Sequence, residues 1–245
     1  MVSACLAAPS LSQTLSARAQ LTPPERGDTL VTFASDDFNT NPINIRIPFV
    51  VRGAKNTGKI ALTYDDGPTP GVTDFILEQL AAHRSKATFF VIGQRVRAFP
   101  KLAQTIVEQG HEIANHSYTH PDLSKLQDGA VANEIEKTQK TIEDICGVTP
   151  HYFRPPYGAF RATQGALARA QHVQVIIWSI DPQDWRRPGA EIISQRITAP
   201  SSGGDIILCH DLHFQTAAAS RIFIPHLAKN FSLVTLSNLL RGQHS

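Results

Sequence analysis

The sequence is poor in the features that mark several protein classes. Among its 245 residues there are three cysteines, Cys5, Cys146 and Cys209, and no two of them form a Cys-x-x-Cys pair. This excludes a thiolate zinc site or a disulfide framework as the basis of the fold. No apolar run approaches the roughly 18 residues of a membrane-spanning helix. The formal net charge of +2 gives no basic patch for nucleic acid, so we predict that none is bound.

What remains is a globular composition with many histidines. Hydrophobic residues make up 42% and charged residues 18%, a balance that excludes a disordered chain. The length allows one or two domains, and a single α/β barrel is often this long. There are ten histidines, and only their positions can show which of them are functional.

The first 58 residues differ from the rest of the chain. Residues 21–58 carry proline and asparagine breakers around two short strand patterns, Thr29–Phe33 and Ile43–Val51. We predict an N-terminal β-ribbon extension here, packed on a larger catalytic domain over residues 59–245.

Residues 1–20 have some features of an export segment. A weakly apolar stretch ends at Ala17–Ala19, a small-x-small site, and Val2–Cys5 resembles the end of a lipoprotein signal. We interpret residues 1–20 as an export-signal remnant or a flexible tail. We therefore expect the protein outside the cytoplasm, whether secreted, periplasmic or at the cell surface, with a lipid anchor as one option.

From Lys59 onward, strand-like runs alternate with helical patterns. The seven runs are Ile60–Tyr64, Ala87–Ile92, Glu112–Ala114, Tyr152–Arg154, Val173–Ile180, Asp205–Cys209 and Leu233–Thr235. Two stripes at helical spacing are Val72, Phe75, Ile76 and Leu80, and Val131, Ile135, Ile142 and Ile145. Such alternation predicts an α/β fold with a mainly parallel sheet, and its length favours a small, incomplete barrel over an open sheet.

Ionisable residues follow five of these runs, where each strand ends. They are Asp65 and Asp66, His116, Arg154, Asp181 and Asp184, and His210 and Asp211. In parallel α/β folds the carboxyl ends of the strands meet on one face of the sheet. We therefore expect these residues to form a single site.

Two histidines and an aspartate have the pattern of a metal site. His116 and His120 are four residues apart, so a helical turn would place both imidazoles on one face. Of the adjacent Asp65 and Asp66, one can bind a metal while the other faces a substrate, and Asp66 offers a third ligand. Zinc accepts two histidines and a carboxylate with one position left for water. The alternative is a pair of surface histidines beside an Asx-type turn.

The later strand ends carry groups suited to proton transfer. Arg154 can pair with a site carboxylate, and the rigid turn after it can present the Tyr157 N–H to an oxyanion. Asp184 near His210 would raise the pKa of that imidazole and make His210 a candidate general acid. The alternatives are a stiff loop and a packed strand without catalytic role.

Together these segments resemble the NodB-like polysaccharide deacetylases, a family of carbohydrate esterases, over about residues 59–240. The five matching motifs are TYDDGP at 63–68, HSYTH at 116–120, RPPYG at 154–158, DPQDW at 181–185 and ILCHD at 207–211. Tyr64 stands where many members have phenylalanine, which affects no catalytic position.

The resemblance implies a distorted (β/α)7 barrel and a role for each motif position. It implies metal ligation by Asp66, His116 and His120. It implies a catalytic base and its partner, Asp65 and Arg154, and a general acid and its partner, His210 and Asp184. It implies substrate contacts from Tyr157, Pro155, Trp185 and Leu208, the last two around the acetyl methyl group. The implied cofactor is one divalent metal, zinc, although the same ligands accept cobalt or nickel.

We therefore predict a monomeric metal-dependent hydrolase that binds an acetylated glycan. It would remove acetyl groups from N-acetylated sugars of a GlcNAc-containing polysaccharide, such as peptidoglycan or chitin oligomers, and release acetate. The alternatives are an O-deacetylase acting on acetylxylan, a non-catalytic glycan-binding module and a phosphodiesterase in a similar barrel. A binding module should lack Asp65 or His210, and a two-metal phosphodiesterase would need more carboxylates. His213 and His226 receive no role.

Overall fold

A computed structural model describes residues 49–161 and 164–241 of the chain. Residues 1–20, the strand pattern Thr29–Phe33 and most of the pattern Ile43–Val51 lie outside the described residues. The export segment and the β ribbon therefore stay predictions.

Strands and helices alternate along the described chain. Its strands are β1 (Phe49–Val50), β2 (Lys59–Asp65), β3 (Ala87–Val91), β4 (Glu112–Asn115), β5 (Tyr152–Phe153), β6 (Gln174–Ile176), β7 (Ile206–His210) and β8 (Ser232–Leu233). Its helices are α1 (Thr73–Ala82), α2 (Gly93–Ala98), α3 (Pro100–Glu108), α4 (Asp128–Cys146), α5 (Gly165–Ala170), α6 (Ala190–Thr198), α7 (Phe214–Ala228) and α8 (Leu236–Leu240). No helix in the described ranges is long and apolar enough to cross a bilayer.

The strands form one curled parallel sheet. Their order is β1-β6-β5-β4-β3-β2-β7, and β8 pairs with the first residues of β2. A parallel bridge between Ile180 and Ile207 connects the segment after β6 to β7, so the sheet curls back on itself. Each of the seven predicted runs contributes a strand, and the predicted α/β barrel is present.

The largest differences from the predicted bounds are in β6 and β1. The run Val173–Ile180 forms a regular strand only over β6, and its last residue pairs with β7 through the isolated bridge at Ile180. The end of the run Ile43–Val51 is β1, which pairs in parallel with β6 and so belongs to the barrel sheet. Directly after β1, Arg52 forms an ion pair of 2.6 Å with Asp205, just before β7.

The helices cover the outer face of the sheet with the residues that their spacing predicts. In α1 the buried side chains include Ile76 and Leu80, and in α4 they include Val131, Ile135 and Ile142. Alternate residues of each strand point to opposite faces. In β2 and β7, Tyr64 and Cys209 pack in the outer core, whereas Asp65 and His210 lie on the inner face at the open end.

Candidate metal and catalytic site

The site begins where β2 ends in two adjacent carboxylates. Asp65 is the last residue of the strand, and Asp66 has a left-handed backbone with φ +77°. This conformation breaks the strand's alternation, so that both carboxylates lie within 4 Å of one atom, His116 Nε2, at 3.8 Å for Asp65 Oδ2 and 3.4 Å for Asp66 Oδ1. The two aspartates therefore face one cavity from consecutive positions.

The buried carboxyl group of Asp211, directly after β7, supports this turn. A Cβ atom at Gly67 would lie 2.0 Å from Asp211 Oδ2, so only glycine fits there. Thr73 Oγ1 donates to the same oxygen at 2.6 Å and accepts from the Thr69 N–H at 2.7 Å. Burial raises the pKa of Asp211 to about 7. The sequence marked Asp211 as a residue at a strand end, but its contact with Gly67 is visible only in the structure.

Asp66, His116 and His120 form a cluster with the spacing of a metal site. One ligand atom from each lies within 4.8 Å of the others, and His120 Nε2 is 3.1 Å from Asp66 Oδ1. Burial opposes the charge on Asp66, but the two histidines hold its pKa well below its usual range. These three residues are the ones that the sequence predicts as ligands, and the structure brings them together.

The hydrogen bonds of this cluster fit a divalent cation. Among the described residues no hydrogen-bond donor reaches the buried Asp66 Oδ1, although both imidazoles face it. His116 Nδ1 contacts the Arg154 carbonyl oxygen at 2.7 Å and so carries the proton. That tautomer leaves the Nε2 lone pair directed at Asp66, which is how histidine ligands are usually oriented.

The predicted helical turn over His116–His120 is wrong. β4 ends at Asn115, and the next five residues form an irregular loop in which Ser117 has φ +66° and His120 has φ +60°. Left-handed residues cannot continue a right-handed helix. The two imidazoles still converge, with their centroids 5.0 Å apart, because the loop folds back instead of winding.

Arg154 is fully buried beneath Asp65. Its Nη1 donates to Asp65 Oδ1 at 2.6 Å and to Thr63 Oγ1 at 2.8 Å, and its Nη2 donates to the Ile177 carbonyl at 2.9 Å. The guanidinium also stacks over the Phe90 ring at 4.1 Å. The Asp65 carboxylate is thus held through Oδ1, and Oδ2 lies on the side of the histidine cluster.

His210 and Asp184 form a second pair on the other side of Asp65. Asp184 is fully buried and accepts from His210 Nδ1 at 2.7 Å, the His210 N–H at 2.8 Å and Thr216 Oγ1 at 2.7 Å. Burial lowers the pKa of His210, but Asp184 outweighs it and raises the pKa to about 9. His210 is the direct register partner of Asp65 on the neighbouring strand.

Of the other predicted positions, Tyr157 contacts this cluster, and the rest lie close to its residues in the sequence. Tyr157 has φ +60°, is 71% exposed, and its ring lies 4.7 Å from that of His120. Pro155 is buried, Trp185 is 48% exposed, and Leu208 is buried on β7 two residues before His210, on the same face of the strand. Their contacts with a substrate stay predictions.

Within the described ranges, three further ionisable side chains form no hydrogen bond or ion pair with the site residues, although the charges of Asp184 and His210 act on Asp181 and His213. Asp181, one of the residues at the strand ends, accepts from the Gln183 N–H and is exposed. His213 precedes the first residue of α7, and His226 lies in its last turn. Thr216, which bonds Asp184, was not predicted, because nothing in the sequence directs a helix threonine to a carboxylate 32 residues away.

Comparisons with known proteins identify relatives of one kind. Residues 52–176 match the family described as polysaccharide deacetylase. The chain is 38% identical over 199 residues to the peptidoglycan-N-acetylglucosamine deacetylase PgdA of Listeria monocytogenes serotype 1/2a (strain 10403S), covering 81% of this chain and 42% of that protein. It is 37% identical to the chitooligosaccharide deacetylase of Rhizobium leguminosarum bv. trifolii, covering 78% and 95%.

Solved structures of deacetylases have the same fold as this chain. The peptidoglycan deacetylase PdaC of Bacillus subtilis superposes with a TM-score of 0.71 at 37% identity, over 75% of this chain and 90% of that one. This match confirms the α/β barrel that the alternating strands predict. The chain spans only 42% of the length of the Listeria relative.

Proposed function

Because the chain belongs to the polysaccharide deacetylase family, as its five motifs predict, we propose that it hydrolyses acetyl groups from N-acetylated sugars. The substrate would be a GlcNAc-containing glycan such as peptidoglycan or a chitin oligomer, and the products acetate and a free amino sugar. One observation carries this proposal. An Asp-His-His donor set, a carboxylate held by arginine and an imidazole held by aspartate share one end of the barrel. The names of the relatives support an N-acetyl substrate.

We propose that Asp66, His116 and His120 hold one divalent ion. The buried Asp66 Oδ1 without a donor and the Nδ1-protonated His116 support this assignment. Two imidazoles and a carboxylate suit zinc, and they also accept cobalt or nickel. When bound, such an ion acts as a Lewis acid that acidifies water and polarises the acetyl carbonyl.

Asp65 would then serve as the general base. Arg154 holds Oδ1 at 2.6 Å, so Oδ2 takes the proton from the attacking water as its oxygen bonds to the acetyl carbon. The Tyr157 N–H would donate to the oxyanion that forms at the carbonyl oxygen. Arg154 acts through Asp65 and is a positioning residue.

His210 would serve as the general acid. Its Nδ1 proton is held by Asp184, so Nε2 delivers a proton to the amine nitrogen as the carbon–nitrogen bond breaks. Trp185 and Leu208 would contact the acetyl methyl group. Pro155 would border the same pocket.

The wider assignments follow from this activity. We propose residues 59–245 as the catalytic domain, with the N-terminal extension before it. Peptidoglycan lies outside the cytoplasm, so we propose that the protein acts there as a monomer, whether secreted, periplasmic or at the cell surface.

Acetate release from a panel of glycans tests the proposal. We expect release from chitooligosaccharides or peptidoglycan, loss of that release after treatment with a chelator, and recovery when Zn²⁺ is restored. Metal content is measured on the same sample. Release from acetylxylan alone would identify an O-deacetylase, and chelator-resistant release would exclude the metal-dependent reaction.

The pH dependence of the reaction tests the role of His210. The pKa of about 9 keeps this imidazole protonated at neutral pH, so activity should fall as pH rises through the pKa and His210 loses its proton. In Asp184→Asn the carboxylate that raises the pKa is gone and burial still lowers it. The alkaline limb of the kcat–pH profile should therefore move to lower pH by at least one unit.

A cation bound near Asp66 would also lower the pKa of His210, so the absolute position of the alkaline limb does not test the assignment. The test is the difference in that position between the unmodified protein and Asp184→Asn. Glu191→Gln, an exposed substitution in the first turn of α6, is the matched control and should leave the limb in place. An alkaline limb that stays unchanged in Asp184→Asn would show that His210 is not the group that titrates.

A further inference from the structure

The loop between the two histidine ligands is strained and needs support from its surroundings. Ser117 and His120 both have positive φ, a backbone conformation that is unfavourable for residues with a Cβ atom. Such conformations persist only where neighbouring groups hold them. The loop is also the part of the chain that sets the distance between the two imidazoles.

Glu134 on α4 binds the middle of this loop with both carboxylate oxygens. Its Oε2 accepts from the N–H groups of Tyr118 and Thr119, each at 2.8 Å, and its Oε1 accepts from Thr119 Oγ1 at 2.9 Å. Two successive N–H groups that point to one side form an anion-binding concavity. Hydrogen bonds to an ionised acceptor are about twice as strong as neutral ones.

Other residues of α4 hold the start of the loop. Asn115 Nδ2 donates to the Ile135 carbonyl and to Gln139 Oε1, each at 2.9 Å, while Asn115 Oδ1 accepts from the Ser117 N–H at 2.9 Å. Helix α4 therefore fixes the start of the loop through Asn115, which in turn holds Ser117, and it fixes Tyr118 and Thr119 through Glu134.

The two ligands depend on the loop to different degrees. The His116 ring is oriented by the Arg154 carbonyl at 2.7 Å. Within the described residues the His120 ring has no such acceptor, and it contacts Asp66 and the edge of Tyr157. Its backbone N–H donates to Ser117 Oγ at 3.1 Å, so the position of His120 follows the shape of the loop.

We propose that Glu134 is a positioning residue of the metal site, one that holds His120 in place through the backbone of the loop. This inference rests on the proposed metal ligation by Asp66, His116 and His120. Without the Glu134 carboxylate the loop gains conformations in which His120 Nε2 turns away from Asp66. Metal affinity falls as the competent conformation becomes less populated.

Metal affinity measured by competition with a chromogenic chelator tests this. Glu134→Ala should bind Zn²⁺ about 10- to 100-fold more weakly than the unmodified protein, the range typical of residues that orient metal ligands. Glu134→Gln keeps the length and one acceptor oxygen and should show a smaller loss. Glu136→Gln, exposed two residues along α4, is the matched control and should bind normally. His120→Ala gives the Zn²⁺ affinity of a site that lacks this histidine, which is the reference for complete loss of the ligand.

Hydrogen–deuterium exchange separates positioning from general stability. In zinc-loaded Glu134→Ala the amides of residues 117–120 should exchange faster, with exchange in β2 and β3 unchanged. A zinc affinity in Glu134→Ala within twofold of the unmodified protein would overturn the proposal. If the protein binds zinc in a manner that depends on Glu134 but releases no acetate from any glycan, the proposed function fails and the role of Glu134 stands.

Discussion

Replacing Asp65 with asparagine is expected to lower kcat for acetate release by about 10²- to 10⁴-fold, the usual contribution of a general base. The amide cannot take a proton at the pH of the reaction. It does keep an oxygen that accepts from Arg154 and has nearly the same shape, so the fold and the metal ligands should be preserved. Single-turnover and steady-state acetate release from a chitooligosaccharide would measure the loss.

Metal content and stability are the controls for this variant. Asp65→Asn should bind Zn²⁺ with an affinity close to that of the unmodified protein, because Asp66 and the histidines are unchanged. Asp144→Asn, exposed on α4 and paired with Lys140, should leave kcat unaffected. If Asp65→Asn retains most of the metal-dependent acetate release, another group takes the proton and the base assignment is wrong.

Arg154→Met is expected to lower the free energy of unfolding by about 3–5 kcal/mol, as found when one partner of a buried ion pair is removed. The guanidinium has no exposed surface, and its loss leaves the Asp65 carboxylate and the Ile177 carbonyl without their donors. Methionine fills part of the space but supplies no hydrogen bond. Urea unfolding in the presence of a chelator would measure the change without a contribution from metal binding.

A double variant distinguishes the unpaired charge from the lost volume. Arg154→Met with Asp65→Asn removes the buried carboxylate charge as well, so its stability should exceed that of Arg154→Met alone. Lys140→Met, which breaks the exposed pair with Asp144, should cost about 0.3–0.5 kcal/mol. A loss below about 1 kcal/mol in Arg154→Met would show that Asp65 finds another partner in the folded protein.

The spacing of apolar residues along the chain, together with the composition, is sufficient to predict most of the barrel. The buried strands β2, β3 and β7 are mostly apolar, and their bounds agree with the prediction within one residue at each end. The polar residues at the strand ends meet because parallel strands align their carboxyl ends, a property of the topology. That part of the site needs no knowledge of side-chain packing.

The rest of the site depends on contacts that are distant in the sequence. A spacing of four between His116 and His120 indicates a helix only when the backbone is helical, and the positive φ of Ser117 could not be inferred from a serine. Glu134 and Thr216 have ordinary positions on helices, and nothing in the pattern of either helix distinguishes them from residues that face water. Their roles follow from where α4 and α7 pack, which the pattern of one helix does not specify.

The pairing of β2 with β7 has a consequence for how the chemistry is protected. Asp65 sits opposite His210, while Tyr64 and Cys209 on the same strands pack outward under α1 and α7. A shift of β2 by a single residue would exchange its inner and outer faces. The Tyr64 ring would then face the cavity, and the Asp65 carboxylate would lie in the hydrophobic core. The hydrophobic side chains on the outer face of the sheet thus fix the register of the two strands, and with it the alignment of the proposed general base with the proposed general acid.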